Sequence, residues 1–463
     1  MFKPEIYAHR RHALRYEVKS GIIILPGNVE AAFNYPANTY HYRQDSAFSY
    51  FFGINQPSLA GIINLDNGKD YLFGNDVDMD DIIWMGPQPT IAERGKLAGV
   101  DITLPLKEFA GMIKEAIEEK RQVHFLPPYR AETKIMLSEI LGMAPAELKA
   151  AASLELIKGV IKLRSVKTDE EIAEIEKMVD VAGIMHTTAM KMAHPGIKEQ
   201  EIAGTIEGIA LAKAGPVSFP VILSMDGQTL HNHNHGNVLT EGRMMVVDAG
   251  CESEETLYSS DITRTVPVGG RFSPRQKEIY EIVLKANLEA IAAIKPGIPY
   301  RDIHLLAARV IANGLKHAGL MKGDVDEAVK QGAHALFFPH GLGHMMGMDV
   351  HDMEGLGENY VGYDDEIVRS EQFGTAFLRL GRKLQAGFVL TVEPGIYFIP
   401  ALIDQWKAEG KLTDFINYDK LESYKDFGGI RIEDDVLVTE TGHRVLGRPI
   451  PKTVAEIEQI MSR

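Results

Sequence analysis

Five ionisable side chains set in strand-like or glycine-rich runs constrain this chain more than any other feature. They are Asp248 in VVDAGCE, Asp261 in YSSDITRTV, His344 in HGLGHMMG, Glu393 in VLTVEPGIYF and Glu433 in GGIRIEDDV. The runs around the acids are rich in Val, Ile, Thr and Tyr and predict β-strands. An inward-pointing charge on a strand costs free energy unless it has a partner. The fold must therefore supply a partner for these charges.

Two divalent cations are the simplest partner for four carboxylates that converge. Oxygen-rich ligation with one imidazole and no thiolate is typical of Mn²⁺ or another hard ion. A water that bridges two such ions is a source of hydroxide near neutral pH. The pattern therefore predicts a dinuclear metal site and hydrolytic chemistry. For any one acid alone, a solvated strand end or a salt bridge is the ordinary interpretation, and it is the full set that argues against it.

The composition limits the possible partners and compartments. The chain has 463 residues, with 49 Lys and Arg against 64 Asp and Glu, a formal net charge of −15. An acidic chain without a basic block is unsuited to nucleic acid. No apolar run approaches the length of a spanning helix, and MFKPEIYAHRRHALRYE lacks the apolar core of a signal peptide. Cys251 is the only cysteine, so we expect a cytoplasmic protein that binds neither nucleic acid nor membrane.

The first third of the chain, to about residue 160, predicts an α/β domain without an obvious catalytic cluster. Gly21–Leu25, Ser46–Phe52 and Leu59–Leu65 are short apolar runs that predict strands. Phe109–Lys120 has the pattern of an amphipathic helix. A polar bridge, Leu163–Asp169, follows this domain.

Beyond the bridge the chain repeats one pattern. A long helix, predicted to start at a Thr168 capping box, runs into HPGI, a second helix and Ala-Gly. About a hundred residues later Ser273-Pro274 starts a helix that runs into KPGI, another helix and Ala-Gly. Each half continues into strands that carry two of the acids. The repeat predicts a pseudo-symmetric domain with the site between its halves, although helix–Pro-Gly–helix is also a common pattern that can recur by accident.

The segment PHGLGHMMGMDVHD contains three further candidates, His340, His344 and His351. His340 and His344 are four residues apart, as in a helical zinc pair, but Gly341 and Gly343 argue against a helix. The full dinucleotide-binding fingerprint is absent. We expect these glycines to let the backbone pass close to a metal ion or ligand.

A second histidine-rich segment, LHNHNHG, places His231, His233 and His235 on one face if it is extended. His231 follows an apolar residue and is expected to face inward, whereas His233 and His235 also fit a surface loop. Cys251 has no activating neighbours, which favours a small buried side chain over a nucleophile. No G-x-S-x-G motif is present.

Taken together, these motifs resemble the pita-bread metallopeptidases, in particular the proline-specific branch of Xaa-Pro dipeptidases (prolidases) and aminopeptidase P. The resemblance covers essentially the whole chain and is densest over residues 240–450. It implies an α+β fold, with a creatinase-like α/β N-terminal domain over residues 1–160 and a pseudo-twofold pita-bread catalytic domain over residues 161–463. It also implies a homodimer or higher homo-oligomer.

The resemblance implies a role for each of the five metal-site candidates. Asp248 would bind the first ion, and His344 and Glu393 the second. Asp261 and Glu433 would bridge the two ions, most simply two Mn²⁺. Glu393 would also be the general base for the attacking water.

Four further residues receive roles from the resemblance, three toward the substrate and one toward the metal-binding acids. His231 and His351 would hold the substrate and the tetrahedral intermediate, with His351 near the oxyanion or the departing proline. His340 matches a histidine of the family's substrate pocket. Arg431 would support the metal-binding acids.

The substrate subclass depends on Arg379. It lies fourteen residues before Glu393, where prolidases carry an arginine that binds the free carboxylate of a dipeptide. The long segment Phe398–Phe427 also looks like prolidase, so the resemblance implies a peptide with proline in second position, most simply an Xaa-Pro dipeptide. Arg382 is close enough to take the same role, and VVDAGCE is more similar to aminopeptidase P, which acts on longer peptides.

Two other classes share this fold. Pita-bread domains also serve as non-catalytic binding modules, and creatinase-like hydrolases use the fold without metals. Both would be expected to have lost metal ligands, and here all five positions are filled.

Overall fold

The computed structural model describes residues Met1–Ser462 and divides into two compact units. The first comprises Met1–Arg164 together with Glu254–Leu257 and Glu354–Gly357. The second comprises Ser165–Ser253, Tyr258–Met353 and the chain from Glu358 onward. Among the described helices, none has the length and apolar character needed to cross a membrane.

The first unit alternates helices and strands. In chain order they are α1 (Pro4–Glu17), β1 (Ile22–Pro26), β2 (Ala32–Tyr35), β3 (Asn38–Thr39), α2 (Ser46–Phe52), β4 (Ala60–Asn64), β5 (Asp70–Phe73), α3 (Met79–Met85), α4 (Ile91–Ala98), β6 (Ile102–Leu104), α5 (Lys107–Glu118), β7 (Val123–His124), α6 (Ala131–Leu141), α7 (Leu148–Ala151) and α8 (Leu154–Ser165). The main sheet has the order β6-β5-β4-β1-β7. Its outer pairs, β5–β6 and β1–β7, are parallel, and its inner pairs are antiparallel.

The predicted strand at Ser46–Phe52 is wrong, because this segment is helix α2. The carboxylate of Asp45 caps it by accepting a hydrogen bond from the Phe48 amide at 2.9 Å. Gly53, with φ of 70°, ends it in the left-handed conformation. All residues of α2 are buried, and a short apolar run buried on every side has no periodicity that separates helix from strand. The predicted β1, β4 and α5 are confirmed with ends shifted by one or two residues.

The second unit begins with two long helices and continues with strands and further helices. In chain order its elements are α9 (Asp169–Met192), α10 (Glu199–Lys213), β8 (Ile222–Ser224), β9 (Met244–Ala249), β10 (Ile262–Pro267), α11 (Pro274–Ala293), α12 (Tyr300–His317), α13 (Val325–Lys330), α14 (Glu358–Val361), β11 (Val389–Val392), β12 (Gly395–Tyr397), α15 (Pro400–Ala408), α16 (Tyr418–Leu421), β13 (Gly429–Arg431), β14 (Asp434–Val438), β15 (His443–Val445) and α17 (Val454–Met461). The strands form sheets of order β10-β9-β8, β11-β14-β15 and β12-β13.

The predicted repeat is present in the order of these elements. Helices α9 and α10 pack together, as do α11 and α12, and each pair is followed by strands. The capping box at the start of α9 is formed, because the Glu171 carboxylate accepts from the Thr168 amide at 2.7 Å and the Thr168 hydroxyl accepts from the Glu171 amide. The polar bridge is shorter than predicted, since α8 continues to Ser165.

The strand predicted around Glu433, in the run GGIRIEDDV, is interrupted. β13 pairs with β12 and β14 pairs with β11, and Ile432 and Glu433 lie between the two ladders. The opposite strand segment, β11 and β12, is also broken, at Glu393-Pro394, since Val392 pairs with Asp434 and Gly395 with Arg431. Proline has no amide hydrogen for a ladder. Glu393 and Glu433 therefore occupy matching gaps, outside the hydrogen-bonded register of both strands.

Candidate metal centre and substrate pocket

The ten residues to which the resemblance assigns a role all line one cavity of about 540 Å³ in the second unit. These residues are Asp248, Asp261, His344, Glu393, Glu433, His231, His340, His351, Arg379 and Arg431. The wall also includes side chains that the sequence did not single out, namely Phe219, Pro220, Ile222, Leu230, Val350 and Phe377. The cavity thus joins a charged floor to an apolar wall.

The first two acids reach the cavity from neighbouring antiparallel strands. Asp248 lies near the end of β9, and Asp261 directly precedes β10. The register pairs Asp248 with Thr263, so both acids lie at the same end of this ladder. Both are buried, with 8% and 5% of their surface exposed.

His344 enters from the glycine-rich turn, which is held against β11. Its amide donates to the Thr391 hydroxyl at 3.1 Å, and the Thr391 amide donates to its carbonyl at 3.0 Å. A Cβ on Gly343 would lie 2.0 Å from the Thr391 carbonyl oxygen. Gly343 therefore admits the backbone of a neighbouring strand, and both Gly341 and Gly343 line the cavity. That their backbone passes close to a metal ion or ligand stays a prediction.

The ligand atoms of the cluster lie close together. Nε2 of His344 is 3.4 Å from Oδ2 of Asp261 and 3.5 Å from Oε1 of Glu393. Asp261, His344 and Glu433 each offer a ligand atom within 4.8 Å of the others. Nδ1 of His344 donates to the Met345 carbonyl at 3.0 Å. That bond leaves the lone pair on Nε2, which is the atom a metal ion needs.

The electrostatics of the cluster favour added positive charge. Burial, and then the charges of Glu433 and Asp248, raise the pKa of Asp261 well above its ordinary value. Burial, followed by Glu393 and Asp248, does the same to the pKa of Glu433. Burial raises the pKa of Glu393 to about 7. Oδ1 of Asp248 is buried without a hydrogen-bond partner among the described residues. Carboxylate oxygens with one imidazole nitrogen are donors that divalent cations take, so these residues fit such ions.

Arg431 connects two of the acids. Its Nη2 donates to Oδ2 of Asp248 at 2.6 Å, and its Nε donates to the Thr263 hydroxyl at 3.1 Å. The Thr263 hydroxyl in turn donates to Oε2 of Glu433 at 2.7 Å. One guanidinium thus fixes Asp248 directly and Glu433 through a hydroxyl. Thr263 lies inside a quoted motif, but its role depends on a contact that the sequence does not display.

The same guanidinium extends to a pocket histidine. Nη1 of Arg431 donates to the Tyr397 hydroxyl at 2.8 Å, and that hydroxyl lies 2.9 Å from Nε2 of His340. Nδ1 of His340 donates to the Gly341 carbonyl, so Nε2 accepts from Tyr397. Burial lowers the pKa of His340 to about 3. His340 is therefore a neutral imidazole with a fixed tautomer.

The two acids after Glu433 serve the frame of the site. Asp435 accepts a hydrogen bond from the Asp261 amide at 3.0 Å and so fixes the backbone of that acid. Asp434 forms a buried ion pair with Arg264 at 2.8 Å. Arg264 also donates to the Glu433 carbonyl at 2.6 Å. Sequence reasoning missed the roles of Asp434, Asp435 and Arg264. The run of three acids from Glu433 to Asp435 beside apolar residues was a visible signal for the first two.

The remaining histidines divide between cavity and frame. The ring of His351 contacts the ring of His344 edge to face, with ring centroids 4.3 Å apart. His231 and His233 are both exposed and both line the cavity, so His233 belongs to a surface loop that also forms part of the cavity wall. Nδ1 of His235 donates to the Leu223 carbonyl at 3.0 Å, which ties the segment to β8 instead.

The two candidate arginines have different surroundings. Arg379 lines the cavity with 34% of its side chain exposed, and its Nε lies 3.4 Å from Oε1 of Glu358. Arg382 stacks over Phe388 at 4.8 Å and donates to the Ser165 hydroxyl at 2.8 Å. Only Arg379 of the two can therefore meet a ligand in the cavity.

Cys251 is buried, as the sequence favoured. Burial raises the pKa of its thiol to about 12. Burial thus disfavours the thiolate, and Cys251 is not among the residues that line the cavity, which agrees with a small buried side chain.

Known proteins share this architecture over the whole chain. Solved structures that match include aminopeptidase PepP of Pseudomonas aeruginosa, with a TM-score of 0.82, 30% identity and coverage of 100% of this chain and 98% of that one. A variant of Escherichia coli aminopeptidase P in complex with substrate matches with a TM-score of 0.81, 29% identity and the same coverage.

Curated relatives agree with the structural matches. A human Xaa-Pro dipeptidase is 31% identical over 96% of this chain and 90% of its own length. A probable Xaa-Pro aminopeptidase of Aspergillus niger is 32% identical over 97% and 95%. The sequence profile of the aminopeptidase P N-terminal domain matches residues 7–124, and that of metallopeptidase family M24 matches residues 173–440. More than half of the chain fits the latter profile, and the cavity with its acids and histidine lies within it, so this protein belongs to metallopeptidase family M24.

Proposed function

We propose that this protein is a two-metal exopeptidase that cleaves the bond between an N-terminal residue and proline, with Xaa-Pro dipeptides as preferred substrates. The observation that carries the proposal is the content of one cavity, in which the acidic cluster and the partly exposed Arg379 lie together. In a dipeptide the residue after the scissile bond carries the free carboxylate. If the scissile bond lies at the acidic cluster, this carboxylate therefore lies one residue away from the cluster. An arginine in the same wall is the group such a carboxylate requires.

The resemblance to the family implies which residues would hold each ion. Asp248 would hold one ion, His344 and Glu393 the other, and Asp261 and Glu433 would contact both. The oxygen-rich donor set favours Mn²⁺. When bound, such ions neutralise the carboxylates, polarise the scissile carbonyl and lower the pKa of water.

The remaining chemistry is proton transfer and orientation. Addition of water to the carbonyl releases one proton, and the proline nitrogen must gain one as the C–N bond breaks. Glu393 would accept the first proton, since its carboxylate lies in the cavity within 3.5 Å of His344 and so beside the position of the attacking water. His351 and His231 would donate hydrogen bonds to the oxyanion and to the departing proline, and His340 would orient the substrate.

Arg431 would keep the acids in place throughout the reaction. It holds Asp248 by a direct hydrogen bond and Glu433 through the Thr263 hydroxyl. The mutual repulsion of these two carboxylates would otherwise separate them. An arginine suits this task because its planar group donates in several directions and remains charged.

A second candidate is aminopeptidase P activity on longer Xaa-Pro peptides. VVDAGCE favours it, as does the likeness to solved aminopeptidase P structures. A non-catalytic binding module is disfavoured by the complete set of ligand residues.

The deciding experiment compares the Mn²⁺-loaded protein on Ala-Pro, Ala-Pro-Ala and Ala-Ala. The dipeptidase proposal expects the highest kcat/KM for Ala-Pro and little release of alanine from Ala-Ala. A higher kcat/KM for Ala-Pro-Ala would favour aminopeptidase P. Absence of alanine release from all three, with metal bound, would favour a binding module.

We further propose a cytoplasmic homodimer or higher homo-oligomer. Helix α3 of the first unit has no buried residue, and Met79, Ile83, Trp84 and Met85 are 68–86% exposed. An apolar surface of this kind is typical of an interface. Sedimentation of the native protein and of Trp84→Glu tests this, with a smaller species expected for the variant.

The proposed cytoplasmic location is supported by the single buried cysteine, which suits a reducing compartment.

We also propose that residues 1–160 and 161–463 are separate domains. The two compact units and the ranges of the two matching profiles support this division. Limited proteolysis between residues 160 and 170 would test it.

A further inference from the structure

Phe377 is an aromatic side chain that lines the cavity and has no role in the chemistry proposed above. It ends the short helix Thr375–Phe377, lines the cavity and is 54% exposed. Phe373 supports it edge to face, with ring centroids 6.1 Å apart. A large apolar ring that faces solvent inside a binding cavity is available to be covered by a ligand.

Phe377 and Arg379 project from the chain to the same side. Leu378 between them is extended, with φ of −68° and ψ of 115°, and is itself buried. In extended backbone, residues two apart point to one side while the residue between them points away. Both Phe377 and Arg379 accordingly line the cavity. An apolar ring and a cation are thus presented next to each other.

The segment that carries this pair is held by close backbone contacts. A Cβ on Gly362 would lie 1.7 Å from the Arg379 carbonyl oxygen, and one on Gly341 would lie 2.7 Å from Cα of Leu378. The Tyr363 hydroxyl donates to the Leu378 carbonyl at 2.5 Å. Because neighbours pack this tightly on both sides of Leu378, the backbone at the pair is fixed before a ligand arrives. Pre-organisation of this kind lets a contact contribute to specificity without an ordering cost.

We propose that Phe377 is a specificity-determining residue that packs against the pyrrolidine ring of the proline whose carboxylate Arg379 binds. In proline the ring and the carboxylate share one carbon atom, so a site that recognises both must place an apolar group beside a cation. Arg379 alone recognises the end of any dipeptide, and Phe377 adds recognition of the ring. The inference rests on the proposed dipeptidase function.

The test compares Phe377→Ala with the native enzyme on two dipeptides. Ala-Pro has the ring, whereas alanyl-sarcosine keeps the tertiary amide and the carboxylate but has no ring. Loss of an apolar contact of this size is expected to lower kcat/KM for Ala-Pro about tenfold. The value for alanyl-sarcosine should change by less than about threefold. Phe377→Leu, which keeps apolar bulk, should recover most of the rate on Ala-Pro.

Tyr360→Ala is the matched control, since Tyr360 lies in the same unit, is 46% exposed and does not line the cavity. It should leave both substrates unchanged. Equal falls on the two dipeptides in Phe377→Ala, or no fall on Ala-Pro, would overturn the role of Phe377 while leaving the dipeptidase proposal intact. Failure of the native enzyme to cleave Ala-Pro would overturn both. Thermal unfolding of each variant separates a lost contact from a lost fold.

Discussion

Arg431 donates a hydrogen bond of 2.6 Å to Asp248, although 183 positions separate the two residues along the chain. Asp248 lies in β9 and Arg431 in β13, so the bond joins the strands of the first half of the repeat to those of the second. It fixes one carboxylate of the cluster and, through Thr263, steadies another. The cluster is therefore a product of both halves, and neither half holds it alone.

Arg431→Lys should weaken metal binding while keeping the charge. Lysine cannot donate at once to Asp248, Thr263 and Tyr397 as the guanidinium does. Loss of such supporting contacts typically costs about 10–100-fold in metal affinity. Equilibrium dialysis with Mn²⁺ measures the effect, with Arg275→Lys on the surface as the control. Equal Mn²⁺ affinity in the native protein and Arg431→Lys would show that charge alone suffices.

Glu393→Gln should lower kcat far more than it raises KM. The change nearly conserves volume but removes both the proposed base and an anionic donor. General-base catalysis is typically worth about 10²–10⁴-fold. Steady-state kinetics on Ala-Pro at saturating Mn²⁺ gives the two constants separately. A loss confined to KM would mean that Glu393 only shapes the cavity.

The sequence located the pocket residues better than it located their supports. The acids and histidines could be recognised because charged residues in apolar strand-like runs are costly without a partner, and that cost is visible locally. The hydrogen bond between Asp435 and the Asp261 amide spans 174 positions, and such a pairing is set by tertiary packing. The break in the strand at Glu433 depends on a proline in the partner strand, which local periodicity does not report.

The choice between Arg379 and Arg382 was likewise beyond the sequence. Both lie in a stretch between α14 and β11 without long regular structure, so no period assigns them to a face. Their environments are set by Phe388, Ser165 and Glu358, which lie 6 to 217 positions away from the arginine that each one contacts.

The buried pair His304 and His334 should make the second unit sensitive to acid. Both rings are fully buried, and none of their nitrogens has a hydrogen-bond partner among the described residues. Burial lowers the pKa of His304 to about 3 and that of His334 to about 4. An unfolded histidine has a pKa of about 6.5, so the unfolded chain binds more protons as the pH falls below that value. The free energy of unfolding is therefore unaffected by these histidines above about pH 6.5. It decreases as the pH falls from there toward 4, because protons then bind to the unfolded chain but not to the buried rings.

His334→Gln removes one of these protonation events. The variant should lose less stability than the native protein between pH 7 and pH 5, because glutamine does not titrate. At 1.36 kcal/mol per pKa unit, the roughly 1.5 pH units between an unfolded pKa of about 6.5 and pH 5 make the expected difference in the free energy of unfolding about 2 kcal/mol. Urea unfolding midpoints at the two pH values measure it, with the exposed His317→Gln as the control. Equal acid sensitivity in native protein and His334→Gln would assign the effect to other groups.

Arg379→Ala should impair Xaa-Pro dipeptides strongly and tripeptides that begin Xaa-Pro much less. A charge-assisted contact to a carboxylate is worth about 1.5–3 kcal/mol, or roughly a ten- to hundredfold change in kcat/KM. A tripeptide has a neutral amide at that point, so it gains less from the guanidinium and loses less with it. The ratio of kcat/KM for Ala-Pro to that for Ala-Pro-Ala is the measurement, because a general loss of folded enzyme cancels in it. Arg382→Ala is the control, and since this residue is packed on Phe388 it should lower stability and leave the ratio unchanged. If Arg379→Ala also leaves the ratio unchanged, Arg379 does not recognise the carboxylate, and the result favours an aminopeptidase P that does not distinguish where its peptide ends.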